Sequence, residues 1–185
     1  MGHVYLYYGT GGGKTSNALG LALRSVGHGR KVVIVQFLKW RKDTGEYKIL
    51  ERLKPYYEIH LFGRPGWISP EATREEITAG GMSFKVRGID ESDREMAGKG
   101  LDFARKKLAE KPDLLVLDEI CLATHLGFLP VKDVLDTLGS VPEETDVVMT
   151  GRYTPAELIA RADFVNEIIE RKAPDHFVTT RGIQF

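Results

Sequence analysis

The hydrophobic pattern of the chain alternates between two kinds of run. Short, nearly continuous apolar runs come at Val4-Tyr5-Leu6-Tyr7-Tyr8, at Val32-Val33-Ile34-Val35 within Lys31 to Leu38, and at Leu114-Leu115-Val116-Leu117. Aromatic and β-branched residues with no polar alternation predict strands buried on both faces, as in the inner part of a parallel sheet. Between them lie stretches in which apolar positions recur at helical spacing. From Thr15 to Val26, the residues Ala18, Leu19, Ala22, Leu23 and Val26 share one face, and Gly27-His28-Gly29 ends the run. Helices are also expected from about Asp90 to Lys111, over Pro130 to Leu138 and over Pro155 to Arg161. Further strands are expected at Glu58 to Phe62 and Asp146 to Met149, and the tail from Phe177 to Phe185 reads as extended. Gly63 to Gly88 holds most of the glycine and proline punctuation and reads as a long irregular excursion, a kind of segment that is often functional.

The opening strand, turn, helix and strand make a βαβ unit, whose crossover is almost always right-handed. No repeat, low-complexity tract or linker interrupts the alternation. The expectation is therefore one α/β domain over residues 1–185, a three-layer sandwich with a mostly parallel sheet and helices on both faces.

Composition narrows the partners. Basic and acidic residues number 26 each, so the formal net charge is zero, which argues against a polybasic nucleic-acid or membrane-surface binder. No apolar run approaches the roughly 20 residues of a membrane helix, and the start lacks a signal-peptide pattern, so a cytoplasmic protein is expected. The single cysteine, Cys121, excludes an intramolecular disulfide and argues against a cysteine-built metal site. His3, His28, His60, His125 and His176 show no paired spacing and read as structural or solvated.

The strongest chemical signal is Gly9-Thr10-Gly11-Gly12-Gly13-Lys14-Thr15, set between a strand and a helix. Four glycines allow a tight turn with N–H groups pointing inward, and the helix adds its own unpaired N–H groups and dipole, so the segment suits anionic oxygens. Lys14 would bring a point charge to phosphates, and the Thr15 hydroxyl would ligate Mg²⁺. Only three residues separate Gly9 from Gly13, one fewer than the usual spacing. A plain glycine-rich turn is the alternative.

Asp118-Glu119 directly follows the Leu114–Leu117 strand. In an open parallel sheet ligands bind beyond the carboxyl ends of the strands, so these carboxylates could hold Mg²⁺ opposite Thr15. Alone, such a pair can also cap the next helix, and Glu119 could serve as a general base for water. Arg152, in Thr150-Gly151-Arg152, would stand at the same edge and could neutralise a leaving phosphate chain; the plainer alternative is a surface arginine.

Longer runs carry a family resemblance. These are Ala18 to Gly29, Val33-Ile34-Val35-Gln36-Phe37-Leu38-Lys39, Asp43-Thr44-Gly45-Glu46, Leu117-Asp118-Glu119, Gly127-Phe128-Leu129, Thr150-Gly151-Arg152 and Arg181-Gly182-Ile183-Gln184-Phe185. In number and order they resemble the P-loop ATP:corrinoid adenosyltransferases (cob(I)alamin or cob(I)yrinic acid a,c-diamide adenosyltransferases), whose phosphate loop is similarly shortened. The resemblance implies transfer of the 5′-deoxyadenosyl group of ATP to a Co(I) corrinoid, with release of triphosphate, in adenosylcobalamin biosynthesis or salvage. It makes Gly9 to Thr15 the triphosphate cradle and Thr15 and Glu119, with Asp118 beside them, the ligands of Mg²⁺ or Mn²⁺. ATP would lie in the reverse sense, its ribose C5′ toward the corrin. Lys14, Glu119 and Arg152 are the residues expected to carry the chemistry, and Trp67 matches an aromatic that faces the corrin. A homodimer and an electron-donating reductase are also implied.

The chain departs from that family at several places. Thr10 and Gly12 stand where asparagine and lysine are frequent, Pro65 replaces a phenylalanine two places before the tryptophan, and Gln184 replaces a common glutamate. Many members also have an N-terminal extension over the site; this chain starts at its first strand, so another element is expected to exclude water, or the site is more open. The runner-up reading is a P-loop ATPase or small-molecule kinase acting at the γ-phosphate. A non-catalytic corrinoid or nucleotide carrier is the third.

Overall fold

The computed structural model describes residues 2–68, 76–79, 82–175, 178 and 180–183. The strands are β1 (Val4–Tyr8), β2 (Val32–Phe37), β3 (Tyr57–Phe62), β4 (Trp67–Ile68), β5 (Glu76–Ala79), β6 (Met82–Arg87), β7 (Leu114–Asp118), β8 (Asp146–Gly151) and β9 (Phe164–Glu167). The helices are α1 (Lys14–Gly27), α2 (Gly45–Lys48), α3 (Leu50–Leu53), α4 (Glu91–Ala109), α5 (Ile120–His125), α6 (Val131–Gly139) and α7 (Ala156–Arg161).

Six strands form one sheet in the order β3-β2-β7-β8-β1-β9, with every neighbouring pair parallel. Alternation along each strand sends side chains to opposite faces. Val33, Val35, Phe37, Leu115, Leu117, Val147 and Met149 join a core with Ala97, Leu101, Ala104 and Leu108 of α4, Ile120 of α5, Val134 and Leu138 of α6 and Leu158 of α7. Val32, Ile34, Leu114, Val116 and Val148 face the other way, against Ala18 and Ala22 of α1 with Ile49, Leu50 and Leu53 at the rim. The result is a three-layer α/β sandwich of the P-loop NTPase-like kind, as expected.

The chain leaves β1 for α1 on one face and leaves the neighbouring β8 for α7 on the other. A crevice opens where such exits diverge, at the carboxyl ends of the strands. Among the described residues no helix is long and apolar enough to cross a membrane.

The short helices α2, α3 and α5 were not among the expected elements, and three further features differ from the expectations. Gly63 to Gly88 contains a small second sheet, β4-β6-β5, in which β4 lies parallel and β5 antiparallel to β6. The edge strand β9 pairs with β1, and its residues are exposed throughout. In the tail, residues 181–183 form a turn in which the Ile183 N–H donates to the Thr180 carbonyl at 3.0 Å; His176, Phe177, Thr179, Gln184 and Phe185 lie outside the described residues.

Candidate active site

The helix α1 begins without a cap. Gly13 precedes it in left-handed backbone, no side chain caps the N–H groups of its first turn, and no acidic residue lies in that turn. The orphan N–H groups and the positive dipole end are thus left for an external anion. The loop glycines serve different ends. Gly9 (φ 114°) and Gly13 (φ 100°) occupy backbone that side chains disfavour. Gly11 is pressed against the segment after β9: its N–H donates to the Ile168 carbonyl at 2.8 Å, and a Cβ would come within 2.9 Å of backbone at Ile168, Ile169 and Glu170. Gly12 is open, with nothing within 4 Å of an added Cβ, and Thr10 is exposed.

Lys14 is buried at 5% exposure and donates to the loop's own Gly11 carbonyl at 2.5 Å. Burial, followed by the charge of Arg152, lowers its pKa from the ordinary lysine value. Arg152 is itself exposed just beyond β8, at the edge where it was expected.

The acidic edge is built around Asp118, the last residue of β7 and the register partner of Gln36 in β2. Its Oδ1 accepts from Thr15 Oγ1 at 2.9 Å and from Thr150 Oγ1 at 2.6 Å. Its Oδ2 accepts from Gln36 Nε2 at 2.9 Å and from Lys39 Nζ at 2.6 Å. Four donors occupy the lone pairs of a carboxylate. Burial opposes ionisation here, but the Lys39 charge and the hydrogen bonds from Lys39, Thr150 and Thr15 outweigh it and hold the Asp118 pKa below its ordinary value.

Glu119 follows with φ 62°, while its N–H donates to Thr150 Oγ1 at 2.9 Å. Its Oε2 is buried and has no hydrogen-bond partner among the described residues. Burial, then the Asp118 charge, raises its pKa. Leu38 just after β2 (φ 63°) and Tyr153 just after β8 (φ 52°) are also left-handed. Positive φ at three non-glycine residues, beside three adjacent strand ends, is the kind of backbone strain that gathers at functional edges.

A divalent cation fits these residues in part. Thr15 and Glu119 offer oxygen donors suited to a hard ion, and the unpartnered Glu119 oxygen is an acceptor that such an ion would satisfy. Asp118 already has its oxygens filled by four donors, the Thr15 hydroxyl among them. Among the described residues no group of three or more His, Cys, Asp and Glu could hold a metal, so substrate oxygens and water would complete the shell. Cys121 is fully buried and its thiol is pushed up to about 12, which makes it a packing residue and not a nucleophile.

Trp67 lies in β4, 49% exposed, and meets Trp40 edge to face at 6.4 Å. The segment carrying it is tied to the start of α4. Arg87 of β6 donates twice to the buried Asp93, at 2.7 and 2.6 Å, and once to the Pro65 carbonyl at 3.2 Å; Arg64 pairs with Asp90.

The sequence reading missed Gln36, Lys39 and Thr150 as members of the site. The signal lay in topology: Gln36 lies at the end of β2 with Lys39 two residues past that strand, and Thr150 at the end of β8, the two strands flanking the acidic one.

The model of the family described as ATP:corrinoid adenosyltransferase BtuR/CobO/CobP matches residues 1–185. The chain belongs to this family. The corrinoid adenosyltransferase of Escherichia coli (strain K12) is 30% identical to it over 168 residues, covering 90% of this chain and 76% of the relative. That of Pseudomonas aeruginosa is 31% identical over 188 residues, covering 100% of this chain and 84% of the relative. The corrinoid adenosyltransferase CobA of Salmonella typhimurium is 30% identical over 169 residues, covering 90% and 76%. ATP-dependent adenosylation of corrinoids is the activity of this adenosyltransferase family, and the reading as a γ-phosphate ATPase or kinase is not favoured.

Proposed function

We propose that this adenosyltransferase moves the 5′-deoxyadenosyl group of ATP onto a Co(I) corrinoid in adenosylcobalamin biosynthesis or salvage. Co(I) gives its electron pair to the ribose C5′; the cobalt–carbon bond forms as the C5′–O bond breaks, and that bonding pair leaves on triphosphate. Co(I) is nucleophilic enough to need no base beside it. The protein's part is to align the two reactants and stabilise the charge that grows on the leaving group.

Gly9 to Thr15 cradle the triphosphate in this reading, with Lys14 and Arg152 opposing its charge. Thr15 and Glu119 hold Mg²⁺ or Mn²⁺, which when bound neutralises triphosphate charge, and Asp118 keeps the Thr15 hydroxyl oriented. Trp67 packs against the corrin. The reading includes the whole chain acting as one domain, a homodimer, a reductase that supplies the electron and a cytoplasmic location.

One observation carries the proposal: the uncapped start of α1 and the Asp118-Glu119 edge meet through the Thr15–Asp118 hydrogen bond, in a chain matched to the family along its whole length. Anaerobic incubation with ATP, Mg²⁺ and chemically prepared Co(I) corrinoid tests it. Triphosphate together with a light-sensitive cobalt–carbon bond is the expected outcome. ADP without alkylated cobalt would return the site to a γ-phosphate enzyme, and binding without turnover would make it a carrier.

A further inference from the structure

Lys39 has no part in the mechanism above, yet its backbone is held from two sides. The Leu38 N–H donates to the Phe62 carbonyl at 2.9 Å, and Leu38 then turns through left-handed backbone. Gly63 lies so close that a Cβ there would stand 2.3 Å from the Leu38 carbonyl carbon and 2.4 Å from the Lys39 nitrogen. The turn sends the Lys39 side chain across the end of β7. Its ammonium is 2.6 Å from Asp118 Oδ2 and 3.2 Å from Thr15 Oγ1. The Lys39 side chain keeps 30% exposure, against 1% for Asp118.

An ammonium that bridges Asp118 and Thr15 supplies positive charge beside the hydroxyl expected to ligate a divalent ion. Two cations repel at that separation. The loop itself carries a single cation, Lys14, because its open position is Gly12.

We propose that Lys39 is a resident cation of the triphosphate site. Without a divalent ion its ammonium binds the triphosphate of a nucleoside triphosphate next to Thr15; when the ion enters, it displaces the ammonium from that place. The inference rests on reading Gly9 to Thr15 as the ATP cradle.

Calorimetric titration of ATP and of inorganic tripolyphosphate, each in EDTA and in excess Mg²⁺, tests it on wild type, Lys39→Met and Lys39→Arg. Loss of the charge should weaken metal-free binding by about tenfold or more, the scale of one hydrogen bond to a charged group. Binding with Mg²⁺ should change less than about threefold. Less Mg²⁺ should be needed to reach tight binding, and Lys39→Arg should recover most of the metal-free affinity. Equal losses with and without Mg²⁺ would overturn the proposal and leave Lys39 a structural counter-charge for Asp118; so would no loss in either condition. If Lys39→Met fails to fold, Asp118→Asn compared with Asp118→Asn/Lys39→Met reads the same ratio, and the double variant leaves no carboxylate without its counter-charge. Failure of the wild type to bind either ligand under both conditions would instead overturn the reading of the loop, and this inference with it.

Discussion

Two helix starts in this molecule solve the same physical problem in opposite ways. At the start of α4, Asp90 accepts from the Ser92 N–H while Asp93 accepts from the Asp90 N–H, so the protein satisfies the orphan donors itself. Arg87 and Arg64 then bind these acids and fasten the β4–β6 segment that carries Trp67. At the start of α1 there is no cap, no acid in the first turn and a buried lysine turned onto its own loop. The first start is closed and stabilises the fold. The second leaves helix donors uncapped and a lysine desolvated, an arrangement that an arriving anion would stabilise. The difference separates a structural helix end from a binding one by their polar partners alone.

The largest effect should come from removing charge at the open start. Lys14→Ala should lower adenosyl transfer by roughly a hundredfold or more, the scale of losing one donor that meets transition-state charge. ATP affinity should fall with it, while stability to urea should hold or rise, because the lysine is desolvated in the folded chain. Transfer at the wild-type rate would remove Lys14 from the site.

The mirror experiment breaks the closed start. Asp93→Ala strips two hydrogen bonds from Arg87 and one from the Asp90 N–H, at a site only 3% exposed. It should cost about 2–3 kcal/mol of stability in urea unfolding. ATP affinity should stay within about twofold of wild type, since among the described residues the hydrogen bonds of the α1 loop and of this network share no partner. A loss of ATP affinity without a loss of stability would erase the distinction between the two starts.

The same contrast explains what could be read from the sequence. Every inner strand and the α1 loop were legible, because burial on both faces leaves unbroken runs such as Leu114 to Leu117, and the loop needs glycines and Gly-Lys-Thr at fixed places. The β4–β6 segment was not. β4 is two residues long, and the Gly80-Gly81 pair between β5 and β6 is a two-residue hairpin signal lost among heavier punctuation. β9 was hidden for another reason: its four exposed residues have no buried face to impose alternation, and it is held by backbone pairing to β1 and by Phe164 stacked on Tyr5 at 4.7 Å. In the site, the acidic pair was visible because it ends a conspicuous strand. Lys39 was named only within a family-like run, since nothing local marks a lysine that reaches a carboxylate 79 positions away.

A smaller effect is expected at the tryptophan. With its ring half exposed, Trp67→Ala should change stability by no more than about 1 kcal/mol. If Trp67 packs against the lower face of the corrin, its loss should slow turnover from Co(II) by about tenfold and turnover from prepared Co(I) by less than about threefold, an energy in the range of one aromatic contact. Equal losses from the two starting states would leave Trp67 with a structural role only.

The smallest change expected is a gain, and it sharpens the contrast from within the loop. Gly9 and Gly13 are bound by their backbone angles and Gly11 by the chain behind it, whereas Gly12 is exposed with open space where a side chain would begin. Gly12→Lys therefore introduces no clash and adds a cation to the uncapped start. The new side chain would be long and solvated, so its attraction for triphosphate is screened and part of it is spent on ordering the chain. Tripolyphosphate affinity in EDTA should rise by only about three- to fivefold, less than Lys14→Ala removes, and the gain should shrink as salt is added. An unchanged or weaker affinity would mean that the side of the loop facing Gly12 is not the side on which phosphate lies.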